Sequence, residues 1–249
     1  MKKFPVLVAV TLLLIAAIAY FMPAALLDAR LDAVTQGQLR VADAAGTVWN
    51  GRGVVTGERR TWSLPISWKV DPWSLARGDA VIALRDADGV DLPRATLAWR
   101  NGVLTLDGIA FTLPAAAFDG AVAASNVVAL GGDVVFDAPH FSWNGNAGDG
   151  AASARWTGAR IAGNAGTLAL GTVTINFTPR DGVVVGHIEN RGGDVRIDGE
   201  VTFSGSGSNG SVTLSPLPST PPAINRALAA LGTPDVAGAV RLQWRSGKR

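Results

Sequence analysis

Two histidines, three glutamates and one glycine-rich hexapeptide are the residues of this chain with the most chemistry to offer. His140 and His187 are its only histidines. A metal site built on them would need carboxylate partners. His140 follows Pro139 in an apolar stretch, and His187 sits in a hairpin-strand pattern, so both read as surface or half-buried strand residues rather than catalysts. Glu58, Glu189 and Glu200 have no spacing that makes an acid/base pair. Most aspartates abut Gly, Ala or Pro, where local side-chain hydrogen bonds in turns account for them. Gly205-Ser206-Gly207-Ser208-Asn209-Gly210 matches G-x-G-x-x-G, but it leads into the strand pattern Ser211-Val212-Thr213-Leu214. A nucleotide loop must open a helix whose first amides meet the phosphates, so this stretch reads as a hairpin loop. There is no cysteine, which rules out disulfides and thiolate metal sites and says nothing about compartment. No Ser/His/Asp order and no nucleophile elbow stands out. The expectation is a protein with no catalytic residue, no cofactor and no metal.

Composition narrows the class further. A chain of 249 residues can bury a real core. With 30 glycines, 17% charged residues and a mean hydropathy of +0.25, it suits a turn-rich β-protein. Setting aside Lys2 and Lys3, the 22 basic residues fall to 20, equal to the 20 acidic ones. The sequence pI of about 9.4 therefore signals no phosphate-binding stripe, and nucleic acid is not an expected partner. Arg59-Arg60 and Lys248-Arg249 read as short exposed pairs.

The elements that position these residues begin with an apolar run. Lys2-Lys3 precede Phe4–Met22, and no charge follows until Asp28. About 20 apolar residues span a bilayer as a helix, and the lysines belong on the cytoplasmic side. Residues 1–27 are thus expected to be a cytoplasmic lysine pair and a single transmembrane anchor, with 28–249 a β-rich domain on the far side. A cleaved signal peptide is the alternative, with Ala17-Ile18-Ala19 as its small-x-small site; bulky Tyr20 and Phe21 follow it at once.

Beyond a short helix at Leu26–Val34, the period changes to two. Apolar residues alternate in Trp62–Val70, Thr172–Thr178, Val195–Phe203 and Val240–Arg245. Such alternation gives strands with one greasy and one wet face, as in antiparallel sheets. Asn101-Gly102 and Asp181-Gly182 predict type I′ hairpin turns. Pro65 within a strand pattern predicts an edge or bulge. Asp71-Pro72-Trp73-Ser74-Leu75-Ala76 predicts a capped short helix. Pro114–Phe118 predicts a single turn, and Pro222–Leu231 a helix that stops at Gly232. Gly145–Gly150 reads as a loop. The fold class expected is mainly β: after the transmembrane helix, an antiparallel, curved or sandwich-like sheet with a few short helices. A subdivision near 120–130 is the expected internal boundary. Among the eight tryptophans, Trp62, Trp68 and Trp99 lie on apolar strand phases and are expected in the core.

Several segments in order resemble one family. They are Gln38-Leu39-Arg40-Val41, then Gly46-Thr47-Val48-Trp49-Asn50-Gly51-Arg52-Gly53, then Leu64-Pro65-Ile66-Ser67-Trp68-Lys69-Val70-Asp71-Pro72-Trp73-Ser74-Leu75. The last is Ala227-Leu228-Ala229-Ala230-Leu231-Gly232-Thr233-Pro234-Asp235-Val236-Ala237-Gly238. With the lysine-started apolar run they resemble protein N of the type II secretion system, also called general secretion pathway protein N. That family shows G-T-hydrophobic-W-x-G, then W-x-hydrophobic-x-P, then a helix ending in Leu-Gly-x-Pro-Asp. The resemblance singles out Gly46, Trp49, Gly51, Trp68, Pro72, Gly232 and Pro234 as structural motif residues and carries over no active site. It implies a single-pass bacterial inner-membrane protein with most of its chain in the periplasm. Its implied role is non-enzymatic, supporting the complex that exports folded proteins, with other components of that system as partners. Residues 121–165, rich in Gly and Ala, match no motif. Gly46 and Gly51 are expected to give tight backbone beside Trp49, whose ring would pack into the apolar face. The alternative is a lipid-binding or lipid-transfer β-groove, as in AsmA-like periplasmic proteins, with an acyl chain on the apolar face.

Retention of the apolar run predicts a mature chain of full length on an immunoblot. A loss of about two kilodaltons would identify a cleaved leader instead.

Overall fold

A computed structural model describes residues 21–35, 39–57, 62–85, 94–118, 129–163, 166–205, 207–218 and 221–247. The apolar run up to residue 20, Glu58, Arg59-Arg60, Lys248-Arg249 and most of the 120–130 boundary lie outside them. No helix of the described residues is long and apolar enough to cross a membrane. The chain divides into two compact units, Met1–Asp91 and Leu92–Arg249.

The first unit contains α1 (Ala25–Thr35), β1 (Leu39–Gly46), β2 (Asn50–Gly57), β3 (Ser63–Val70), α2 (Pro72–Ala76) and β4 (Ala80–Arg85). Each strand pairs antiparallel with the next. The helix predicted at Leu26–Val34 is α1, one residue longer at each end. It protects the outer edge of β1. Asp28 Oδ1 accepts the Val41 amide at 2.9 Å, and Arg40 reaches Asp28 at 3.3 Å and Asp32 at 3.9 Å. An edge amide that would otherwise invite another strand is thus occupied from within. Leu27 and Leu31 of α1 pack on a cluster of Ala24, Val41 and Trp68, joined by Val55, Ile66, Val70 and Leu84. Pro65 pairs with Val54 of β2 and lies outside the Ser67–Val70 stretch that β4 pairs, a place where a missing donor is tolerated.

The second unit contains β5 (Arg94–Arg100), β6 (Val103–Pro114), a 3₁₀ turn (Ala115–Phe118), β7 (Ala129–Trp143), β8 (Gly148–Gly163), β9 (Gly166–Arg180), β10 (Val183–Arg191), β11 (Val195–Ser204), β12 (Gly207–Pro216), α3 (Pro222–Leu231) and β13 (Val240–Gly247). These strands also form an antiparallel meander in chain order. Both predicted type I′ turns are present: Asn101 and Gly102 have φ of 51° and 79°, Asp181 and Gly182 of 47° and 80°. The hairpin loop expected at the glycine-rich hexapeptide is shorter: Gly207–Gly210 already belong to β12, with Ser204 paired to Gly207. The expected Gly145–Gly150 loop is shorter and earlier. Asn144 Oδ1 accepts the amides of Asn146 and Ala147 at 2.9 and 2.7 Å, and β8 already begins at Gly148.

One face of β8–β13 holds the larger core. Leu168, Leu170 and Val173 of β9, Ile188 of β10, Val195, Ile197 and Val201 of β11, Leu214 of β12 and Val240 of β13 are buried together, under Leu228 of α3. The helix presents Ile224, Leu228 and Leu231 to them, the i, i+4, i+7 spacing of one face. A second cluster joins Ala138 and Phe141 of β7 to Val184 of β10. Those strands are three spacings apart, about 14 Å in a flat sheet, so the sheet must curl to bring them together. The small Ala152 of β8 packs against the same cluster.

Asn190 ties β9, β10 and β11. Its Nδ2 faces the carbonyls of Leu170, Gly192 and Val195 at 2.9, 3.0 and 2.8 Å, and its Oδ1 accepts the Ile197 amide at 2.7 Å. Asn190→Ala leaves the amide of buried Ile197 unpaired, and the expected loss is about 1–3 kcal/mol, read from the urea midpoint. An unchanged midpoint would show that water takes over the role.

Candidate functional site

The motif residues of the first unit converge on the β1–β2 hairpin. Gly46 turns out of β1 with φ of 93°, where a side chain would also meet the Asn50 carbonyl at 2.5 Å. Only glycine takes that backbone cheaply. The loop is closed by Thr47, whose amide donates to the Asn50 carbonyl at 2.9 Å while its hydroxyl accepts the Asn50 amide at 3.1 Å. The segment entering from the amino terminus docks on the same loop. Val48 N–H donates to Met22 O and Ala24 N–H to Gly46 O, both at 3.0 Å.

Gly51 faces Trp68 across the β2–β3 pair. A methyl group at Gly51 would lie 2.5 Å from Trp68 Cζ2 and 2.9 Å from the Ala45 carbonyl. The indole therefore occupies the volume that a side chain would need. Trp68 is 6% exposed, and its Nε1 donates to the Thr47 carbonyl at 3.2 Å. The ring that Gly51 accommodates is that of Trp68; Trp49 is half-buried. The Trp49 carbonyl accepts the Val70 amide at 2.7 Å, which locks the hairpin to the end of β3. Pro72 opens α2 as predicted, with Asp71 Oδ1 accepting the Trp73 amide at 3.0 Å.

At the carboxyl end Gly232 has φ of 174°, so it is extended and not a left-handed helix cap. Smallness is what the position requires, since a methyl there would lie 2.8 Å from Val240 Cγ1. Pro234 bridges to Val240, and Asp235 Oδ1 accepts the amides of Ala237 and Ala239 at 2.8 and 2.9 Å. These contacts fold the helix end back onto β13.

The residues with chemistry to offer are scattered on exposed strand faces. His140 Nδ1 lies 2.6 Å from Asp107 Oδ1, a cross-strand pair of β6 and β7 in which both side chains are about half exposed. His187 stands opposite Glu200, and Glu189 opposite Asp198, on β10 and β11. Among the described residues no group of three His, Asp or Glu could hold a metal ion. Of the tryptophans expected inside, Trp62 and Trp68 are buried, but Trp99 is 50% exposed. The buried residues of β5 are the small Ala95 and Ala98, at 4% and 8% exposed.

Fold and site together define an antiparallel meander protein whose motif residues pack and turn the chain. A family model, type II secretion system (T2SS), protein N, matches residues 37–243. The chain belongs to this family, which is one of components of the type II secretion machinery. No curated protein and no solved structure matches it.

Overpacking a filled site costs about 1–3 kcal/mol, so Gly51→Ala should lower the denaturation midpoint. Trp68→Ala should cost about 3–5 kcal/mol, and Trp49→Ala clearly less. Equal losses for the two tryptophans would remove Trp68 from its place at the centre of this unit.

Proposed function

We propose that this protein is a non-enzymatic component of the type II secretion system. It is anchored in the inner membrane by the apolar run within residues 1–27 that precedes the folded unit, with the β-rich remainder in the periplasm, where it supports assembly of the complex or export across the outer membrane. Other components of the system are its partners, through protein–protein contacts. The family match over 37–243 carries this reading. The uncharged run Phe4–Met22 behind Lys2-Lys3 supports the anchor and its orientation. The motif residues fit a scaffold: each one described above turns the backbone or seats a neighbour. The apolar face of β9–β13 is filled by Leu228, Ile224 and Leu231 of α3, which favours a packed sheet over an open lipid groove.

Deleting the gene should leave type II substrates in the periplasm and reduce their amount in the medium, with full recovery on complementation. Normal secretion in the deletion strain would overturn the reading. Acyl lipid recovered at one molecule per purified chain, by extraction and mass spectrometry, would favour the lipid groove in its place.

A further inference from the structure

The short helix α2 is inside out. Its sequence, Pro72-Trp73-Ser74-Leu75-Ala76, has one polar residue, and that residue is the buried one. Ser74 is 1% exposed and its hydroxyl donates to the Asp71 carbonyl at 2.7 Å. Trp73 is 74% exposed and Leu75 43%. A helix on the surface of a soluble domain turns its apolar side inward. Here the serine is fixed inward by the Asp71 cap and the return of the chain, where Arg77 and Asp79 amides both donate to the Ser74 carbonyl at 3.0 Å. The apolar side chains are thereby held outward.

The position of α2 says what covers it. Met22 O is bonded to Val48 N, and the adjoining Trp49 O is bonded to Val70 N. Neighbouring strands lie about 4.8 Å apart, so the backbone at Met22 and at Val70 is separated by roughly two spacings, about 10 Å. Helix α2 starts two residues after Val70. Phe21, 70% exposed, and Leu26, 45% exposed, belong to the entering segment at this same end of the unit. Phe21-Met22, the described end of the uncharged run, therefore meets the sheet beside the inverted helix.

We infer that α2, with Phe21, rests in the lipid interface of the membrane that holds the amino-terminal anchor, with Trp73 as its main inserted side chain. The inference rests on the anchored reading above. An indole suits the headgroup boundary, with an apolar body and one polar N–H. Charge is not the driving force. Lys69 and Arg77 flank the helix, and Asp71 and Asp79 balance them. The contact is apolar and takes neutral and anionic lipid alike. Seated this way, the first unit meets the bilayer at a second point besides the entering segment.

The absence of cysteine makes the test direct. The full chain carrying Ala76→Cys or Ser63→Cys is labelled with an environment-sensitive dye and reconstituted into phosphatidylcholine vesicles, with and without phosphatidylglycerol. Ala76 is exposed on α2, and Ser63 is exposed at the opposite end of β3. At Ala76 the emission should shift to the blue, and spin-labelled lipid should quench it at least about twofold more than at Ser63, in both lipid mixtures. Adding Trp73→Ala should remove most of that difference. A chain that does not float with the vesicles overturns the anchor and this inference together. A chain that floats while Ala76 reads as wet as Ser63 overturns the inference alone. So does a blue shift without lipid quenching, which marks a protein contact, and so does quenching that requires phosphatidylglycerol.

Discussion

Large aromatic rings in this protein are seated on glycines of neighbouring strands, and much of the structure follows from that. A meander offers limited depth for an indole standing off the sheet. Laying the ring flat over a cross-strand partner that has no side chain removes the difficulty. Trp68 lies over Gly51, and Phe177 over Gly186, where a methyl would meet Phe177 Cε1 at 2.7 Å. Trp244 covers Gly210, its paired residue on β12, and Trp62 covers Gly57, at 2.6 Å from its Nε1 to the methyl position. Glycine ordinarily weakens a strand, because it loses the most conformational freedom and packs nothing. Under a ring the position is filled and the backbone is shielded, the arrangement known as aromatic rescue. The glycine content is therefore in part a packing requirement of β-strands, and only in part a matter of turns.

Other glycines serve a second purpose, which is to bend long strands. β7, β8 and β9 have 15, 16 and 15 residues. Register shifts fall between Gly131 and Asp133 in β7 and between Trp156 and Ala159 in β8, beside Gly132 and Gly158 with φ of 98° and 57°. Bulges of this kind add one residue to one strand and sharpen the local twist. They give the curl that lets Phe141 and Val184 share a cluster. The same chain thus uses glycine to seat rings where strands are straight and to kink them where the sheet must turn.

These two uses also explain what could be read from sequence. The period-two runs at Trp62–Val70 and Val195–Phe203 are strands because their side chains alternate without interruption. The two hairpin turns and the Asp71-Pro72 cap were legible because their chemistry is local. Residues 121–165 matched no motif, and yet they contain β7 and β8. Each bulge there resets the alternation, and Ala and Gly give little contrast between faces. The partner of Gly51 was beyond reach for a different reason. Glycine and tryptophan meet across a strand pair, so the choice between Trp49 and Trp68 depends on register, which neither residue encodes alone. Trp99 failed for another reason: it stands one residue from the end of β5, and the buried places of that strand are held by Ala95 and Ala98, residues too small to announce them. The role of Asp28 on the edge of β1 joins residues 13 apart and leaves no periodic trace.

The motif hairpin has one more consequence. At the end of the uncharged run, Met22 and Ala24 are already hydrogen-bonded to Val48 and Gly46. A flexible tether would let the sheet sample orientations and would transmit nothing about the segment before it. Here the backbone leaving that segment is part of the sheet's own end, bonded to the loop that also binds β3 through Val70. Gly46 makes the loop, Trp68 fills the space beneath it and donates to its Thr47 carbonyl, and α1 packs Leu27 and Leu31 on the same cluster. Loosening any of them disturbs the junction as well as the core. Gly46, Gly51 and Trp68 are therefore packing positions, and a change at any of them reaches the junction through the same contacts.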